Sequence, residues 1–179
     1  MLQIENTALV VIDIQGKLAQ LAHEKETLFE NTRKLIAGLK ILGVPIIWTE
    51  QLPDKLGRTI PEIAEALSGC VAIPKASFSC CGEPLFAQTL ESLGRRQILL
   101  SGIEAHVCVY QTAVDLLKRG CEVHVVADCV SSRTKSSRDI GIEMMRDEGV
   151  KLKSMEAALF ELMRVAEGES FRQVVKAIK

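Results

Sequence analysis

The chain lacks a charge excess: its 179 residues carry 22 Lys and Arg against 23 Asp and Glu, a formal net charge of −1. Nucleic-acid binders present a basic footprint, so this balance argues against a nucleic-acid partner. No apolar run reaches the length of a membrane span, and the longest, around residues 8–14, is broken by Asp13. The first residues, MLQIENTALV, have neither the basic start nor the long apolar stretch of a secretory signal. The expectation is a cytoplasmic protein without a membrane partner. There is no CxxC pair among the cysteines (Cys70, Cys80, Cys81, Cys108, Cys121 and Cys129), and their spacings fit no zinc module. Adjacent Cys80 and Cys81 are poorly placed to bridge each other. In a reducing compartment most of the six read as small core residues. Phosphate cradles are missing too: no GxGxxG follows a strand, and no GxxxxGK precedes Ser or Thr. The GxSxG elbow is absent. His23, His106 and His124 are too scattered to read as a metal site.

What the chain does have is alternation. Apolar residues make up 47% and charged residues 25%, ordinary for a globular protein. The length can bury roughly two-thirds of the unfolded surface, enough for one self-sufficient domain over residues 1–179. Short apolar runs at 8–14, 44–50, 71–77, 96–103, 121–130 and 150–154 read as strands, and their continuous apolar character suits parallel strands covered on both faces. Between them lie helical patterns. One, at 26–43, places Leu28, Leu35, Ile36, Leu39 and Leu42 on one stripe, with Gly43 as its stop. The tail from Met155 is mostly helical. Strand–helix alternation with short connections predicts an α/β, Rossmann-like parallel sheet of about six strands with helices on both faces. Ligands of such sheets bind beyond the carboxyl ends of the strands.

Three strand ends carry polar residues. Asp13 closes the first apolar run, Lys75 follows the third, and the fourth leads through GIEAH to Cys108 at the start of a long helix. Each has a plainer explanation: a carboxylate emerging at the sheet edge, a loop lysine, a core cysteine. Together they make chemical sense. A helix N-terminus and a nearby ammonium lower a thiol pKa. A carboxylate can take the thiol proton and return it to a leaving nitrogen, and backbone N–H groups at the turn can hold an oxyanion.

These residues also carry a likeness. The chain resembles the isochorismatase-like cysteine hydrolases, which include nicotinamidases and N-carbamoylsarcosine amidohydrolase, from about Thr7 to Leu162. VVIDIQ matches the family's strand ending in D-x-Q, with Asp13 and Gln15. PKASFSC matches its lysine segment with Lys75, and GIEAHVCV its turn between Gly102 and Cys108. The resemblance implies an Asp13–Lys75–Cys108 triad and a cis peptide between Ile103 and Glu104. It also implies an oxyanion hole from the N–H groups of Glu104 and Cys108. Metal-dependent nicotinamidases carry histidines after the second strand; here TEQLPDKLGRTIPE has none, so neither a catalytic metal nor a cofactor is expected. GKL at Gly16–Leu18 and Ala105 also depart from the family's usual residues. The form looks most like the isochorismatase domain-containing subgroup.

The resulting expectation is a cysteine hydrolase of a small amide-like C–N bond, acting through a thioester. Two alternatives stand beside it: isochorismatase-type vinyl-ether cleavage, in which the cysteine is dispensable, and a non-catalytic binding or scaffold protein of the same fold. The ligand is expected to be a small molecule. Gln15, Leu18, Trp48, Phe78 and His106 are candidate pocket residues, with the loop 51–57 as a further wall. Proteins it resembles commonly assemble, so a homo-oligomer is expected.

Overall fold

The computed structural model describes the whole chain, Met1 to Lys179. Six strands form one sheet: β1 Thr7–Ile12, β2 Ile46–Gln51, β3 Ala72–Lys75, β4 Gln97–Ile103, β5 Glu122–Ser131 and β6 Lys151–Lys153. Their spatial order is β3-β2-β1-β4-β5-β6, and every neighbouring pair is parallel. The α/β class and the six strands follow the sequence expectation, with strand ends shifted by one or two residues. The helices are α1 Gly16–Gln20, α2 Lys25–Ile41, α3 Pro53–Leu56, α4 Pro61–Ala66, α5 Pro84–Leu93, α6 Tyr110–Lys118, α7 Lys135–Asp147, α8 Met155–Met163 and α9 Gly168–Ile178. The periodic reading missed α1 and α3, each too short to show a repeat.

Alternation along the strands builds two cores. Leu9 and Val11 of β1 face one side with Leu99 and Ile103 of β4. Ala8, Val10 and Ile12 face the other with Ile98 and Leu100. The first core is roofed by Leu28, Leu35, Ile36 and Leu39 of α2 and by Leu159 and Leu162 of α8. The second packs under Phe86 and Leu90 of α5, Leu116 of α6 and Met145 of α7. Burial on both faces is why these strands read as unbroken apolar runs.

The strand order reverses between β1 and β4, so the crevice opens beyond their carboxyl ends. Close backbone approach narrows it. Gly102 has φ +124, and a Cβ there would lie 2.0 Å from the Ile12 carbonyl oxygen. Only glycine lets β4 lie this tightly beside the end of β1. Similarly, a Cβ on Gly141 of α7 would come within 2.6 Å of the His106 nitrogen, so α7 braces the turn that follows β4.

Candidate active site

Asp13 sits just past β1 with φ +53, a left-handed conformation that Asp tolerates better than most residues. This turn leaves the Asp13 carboxylate at the strand end, 2% exposed. Its Oδ2 accepts from Lys75 Nζ at 2.6 Å, and its Oδ1 accepts from the Thr49 hydroxyl at 2.9 Å. Lys75, the last residue of β3, has a fully buried side chain. Its ammonium also reaches Gln51 Oε1 at 2.6 Å, Phe78 O at 3.1 Å and Ser77 O at 3.2 Å. Four oxygens thus surround a group with three protons, leaving no donor for a ligand.

The Ile103–Glu104 peptide is cis. After it the chain does not enter an α-helix directly, as the pattern predicts, but makes a single π turn, Ala105–Val109, ahead of α6. Its carbonyls are reached by unusual spacing: Glu104 O accepts from both Val107 N and Val109 N. The Glu104 N–H, just ahead of this turn, has no protein acceptor. Cys108 lies in this turn, 8% exposed, facing Asp13.

The thiol is the main departure from the sequence reading. Burial pushes the Cys108 pKa up to about 12, and the Asp13 charge and its hydrogen bond add to the rise; Lys75 only partly opposes them. A helix start and a lysine predict a lowered value. In the folded protein the helix start is a desolvated π turn, and the ammonium is enclosed by four oxygens. The resting site therefore holds a neutral thiol beside a carboxylate base.

Cys108 and Asp13 open on a cavity of about 100 Å³. Leu18, Leu56, Phe78, Ile103 and Val107 give it largely apolar walls; Gln15, Gln51 and Glu104 complete it. Of the expected pocket residues, Leu18 and Phe78 therefore border the cavity. Gln15 borders it too, but its amide is held by the backbone: Nε2 donates to Gly57 O at 2.6 Å and Gln51 O at 3.0 Å, and Oε1 accepts from Gln51 N. Trp48 and His106 are not on the cavity wall. Strand alternation turns Trp48 away, and its Nε1 donates to Thr59 Oγ1 at 2.8 Å. The His106 Nδ1 instead faces Ser132 Oγ at 3.0 Å. Thr49 and Val107 were missed, and Ile103, expected only as part of the cis peptide, also walls the cavity. Their apolar or β-branched character matches any core position; strand register singles out Thr49 and Ile103, and the π turn singles out Val107.

Cys80 stands behind the site. It is fully buried, with Sγ 3.7 Å from Thr49 Oγ1, and borders no part of the cavity. No three His, Cys, Asp and Glu side chains gather closely enough to hold a metal ion. A larger hollow of about 210 Å³, beside Arg95, Arg96 and Arg119, lies at the opposite end of the strands, far from Asp13 and Cys108.

Removing one partner of a buried ion pair leaves the other uncompensated, at a cost of about 3–5 kcal/mol. Lys75→Met should lower stability by about that amount in urea unfolding, and the double variant Asp13→Asn with Lys75→Met should recover most of the loss. A double variant no more stable than Lys75→Met would contradict the pairing.

Comparison with known proteins gives the chain's family. Residues 7–157 match the isochorismatase domain. Isochorismatase domain-containing protein 2 of Danio rerio is 36% identical over 178 residues, covering 99% of this chain and 89% of that one. The secreted isochorismatase effector Isc1 of Phytophthora sojae is 34% identical, covering 97% and 85%. Among solved structures, the MAR1 ribonuclease of Caenorhabditis elegans superposes with a TM-score of 0.93 at 38% identity, covering 99% and 91%. An octameric hydrolase of unknown specificity from Escherichia coli, the YcaC gene product, shares the fold with a TM-score of 0.92 at 20% identity, covering 98% and 88%. No helix is long and apolar enough to cross a membrane. The chain belongs to the isochorismatase-domain family of hydrolases.

Proposed function

We propose that the protein hydrolyses a small amide-like C–N bond with Cys108 as nucleophile, Asp13 as acid–base and Lys75 as the ammonium that holds Asp13 in place. The observation that carries the reading is a thiol and a carboxylate facing one cavity, with the carboxylate fixed by Lys75 and Thr49. A carboxylate has about four acceptor sites, so two fixed hydrogen bonds leave room for the thiol proton.

The substrate carbonyl lies against Cys108. Asp13 takes the thiol proton as sulfur attacks the carbonyl carbon, so the thiolate never needs to exist alone at rest. The oxyanion that forms accepts from the backbone N–H groups of Glu104 and Cys108. Collapse of the adduct breaks the C–N bond, and the nitrogen leaves with the proton from Asp13. Asp13 then deprotonates a water that attacks the thioester, and the proton returns to sulfur when the carboxylic acid is expelled. Lys75 stays on Asp13 throughout.

Two other chemistries have specific support. Vinyl-ether cleavage, suggested by the family's name, needs the carboxylate and leaves the cysteine dispensable. RNA cleavage is suggested by the ribonuclease name of the Caenorhabditis elegans relative. Against it stands the engaged state of Lys75, which offers no proton to a phosphate. Self-association and a cytoplasmic location belong to the same reading. A light-scattering mass equal to one 19.7 kDa chain would contradict the former.

The test is a screen of small amides, ureides and carbamoyl compounds, isochorismate and single-stranded RNA against wild type, Cys108→Ala and Asp13→Asn. The account expects amide turnover that falls by about a thousandfold or more in both variants. Turnover of isochorismate or RNA that survives Cys108→Ala but not Asp13→Asn would replace it with the corresponding alternative. Amide hydrolysis at full rate in Cys108→Ala would refute the nucleophile.

A further inference from the structure

We infer that the cavity selects an uncharged, compact amide whose acyl group is apolar, and that it discriminates against the same amide carrying a carboxylate or an ammonium. The inference deepens the hydrolase reading and rests on it. The reaction is R–CO–NH₂ plus water giving R–COO⁻ and NH₄⁺, so the question is what R can be.

Charge is the first constraint. The basic group nearest the reacting atoms is Lys75, and its three protons already face four oxygens at 2.6–3.2 Å. A carboxylate on R would leave water for a cavity whose wall carries no Lys or Arg side chain, while Asp13 and Glu104 border the same space. An ammonium on R fares little better. The Asp13 charge is matched by Lys75, and the Glu104 charge is matched by the Arg133 guanidinium, whose Nε donates to Oε1 at 3.0 Å.

Hydrogen bonding is the second. Gln15 and Gln51 are the neutral polar side chains on the wall, and both are engaged. Gln15 holds three backbone groups. Gln51 accepts from Lys75 and donates to Ala76 O at 2.7 Å. A second polar group on R would be stripped of water without replacement, the situation in which pockets discriminate most strongly. The third constraint is shape. About 100 Å³ between Leu18, Leu56, Phe78 and Val107 admits a short aliphatic group and offers it apolar contact.

A matched series tests this: butanamide, succinamate and 4-aminobutanamide share a four-carbon acyl chain and differ at its far end. Ammonia release is measured with wild type and Cys108→Ala, and binding is read separately as protection of Cys108 from iodoacetamide. The expected result is Cys108-dependent turnover of butanamide with kcat/KM at least tenfold above either charged partner. Leu18→Arg, which places a cation on the apolar wall, should raise the succinamate-to-butanamide ratio at least tenfold. Equal or faster Cys108-dependent turnover of a charged partner would overturn the selectivity and leave the hydrolase reading intact, as would an unchanged ratio in Leu18→Arg. Tenfold better protection by butanamide without turnover would overturn the hydrolase reading and uphold the cavity's preference. Absence of both turnover and protection would overturn both.

Discussion

Lys75 carries a formal charge into a place where its side chain meets no solvent. A lone ammonium there would be costly or would lose its proton. It is stabilised instead by a carboxylate, a side-chain amide and two backbone carbonyls. Each of those acceptors fixes a different part of the site. Asp13 is drawn to the end of β1, Gln51 is locked at the end of β2, and the Ser77–Phe78 carbonyls pull the loop after β3 over the cavity. The same four contacts that make the lysine tolerable also assemble three strand ends into one wall. They remove Lys75 from direct service to a substrate, which defines its role as positioning.

The second wall comes from β4, on the other side of the reversal in strand order. Gly102 lets β4 press against Ile12, and the π turn after the cis peptide brings Cys108 back toward Asp13. Desolvation by this packing keeps the thiol protonated. A permanently ionised cysteine beside Asp13 would place two negative charges together in a nearly dry cavity. In the proposed mechanism, storing the proton on sulfur until a carbonyl arrives avoids that and makes the carboxylate responsible for timing.

Much of this was legible in the residues. Parallel strands buried on both faces announce themselves as apolar runs, and polar residues closing those runs stand out because the sheet interior excludes them. Asp13 and Lys75 were visible for that reason, and Cys108 by its place past a glycine turn at the start of a helical pattern. Side-chain direction was not. Trp48 lies beside Thr49 on β2, and alternation sends one toward the site and the other to Thr59. His106 lies two residues from Cys108, yet in a π turn that offset carries it to Ser132. The thiol's protonation state also escaped the sequence. A helix start and a lysine lower a thiol pKa only while solvent and free charge remain, and burial removes the first while four oxygens occupy the second.

The central claim is that Asp13, held by Lys75, adds to burial in keeping the proton on Cys108 and removes that proton during attack. It is tested most directly by the pH dependence of Cys108 alkylation by iodoacetamide, read by peptide mass spectrometry in wild type and Asp13→Asn. A thiol whose pKa is raised to about 12 reacts only through its scarce thiolate, so the wild-type rate should climb roughly tenfold per pH unit above neutrality without a plateau below pH 9. Asp13→Asn removes a negative charge and a hydrogen-bond acceptor that both favour the protonated form, so its profile should shift to lower pH even as turnover is lost. An unshifted or upward-shifted profile in Asp13→Asn would contradict the account.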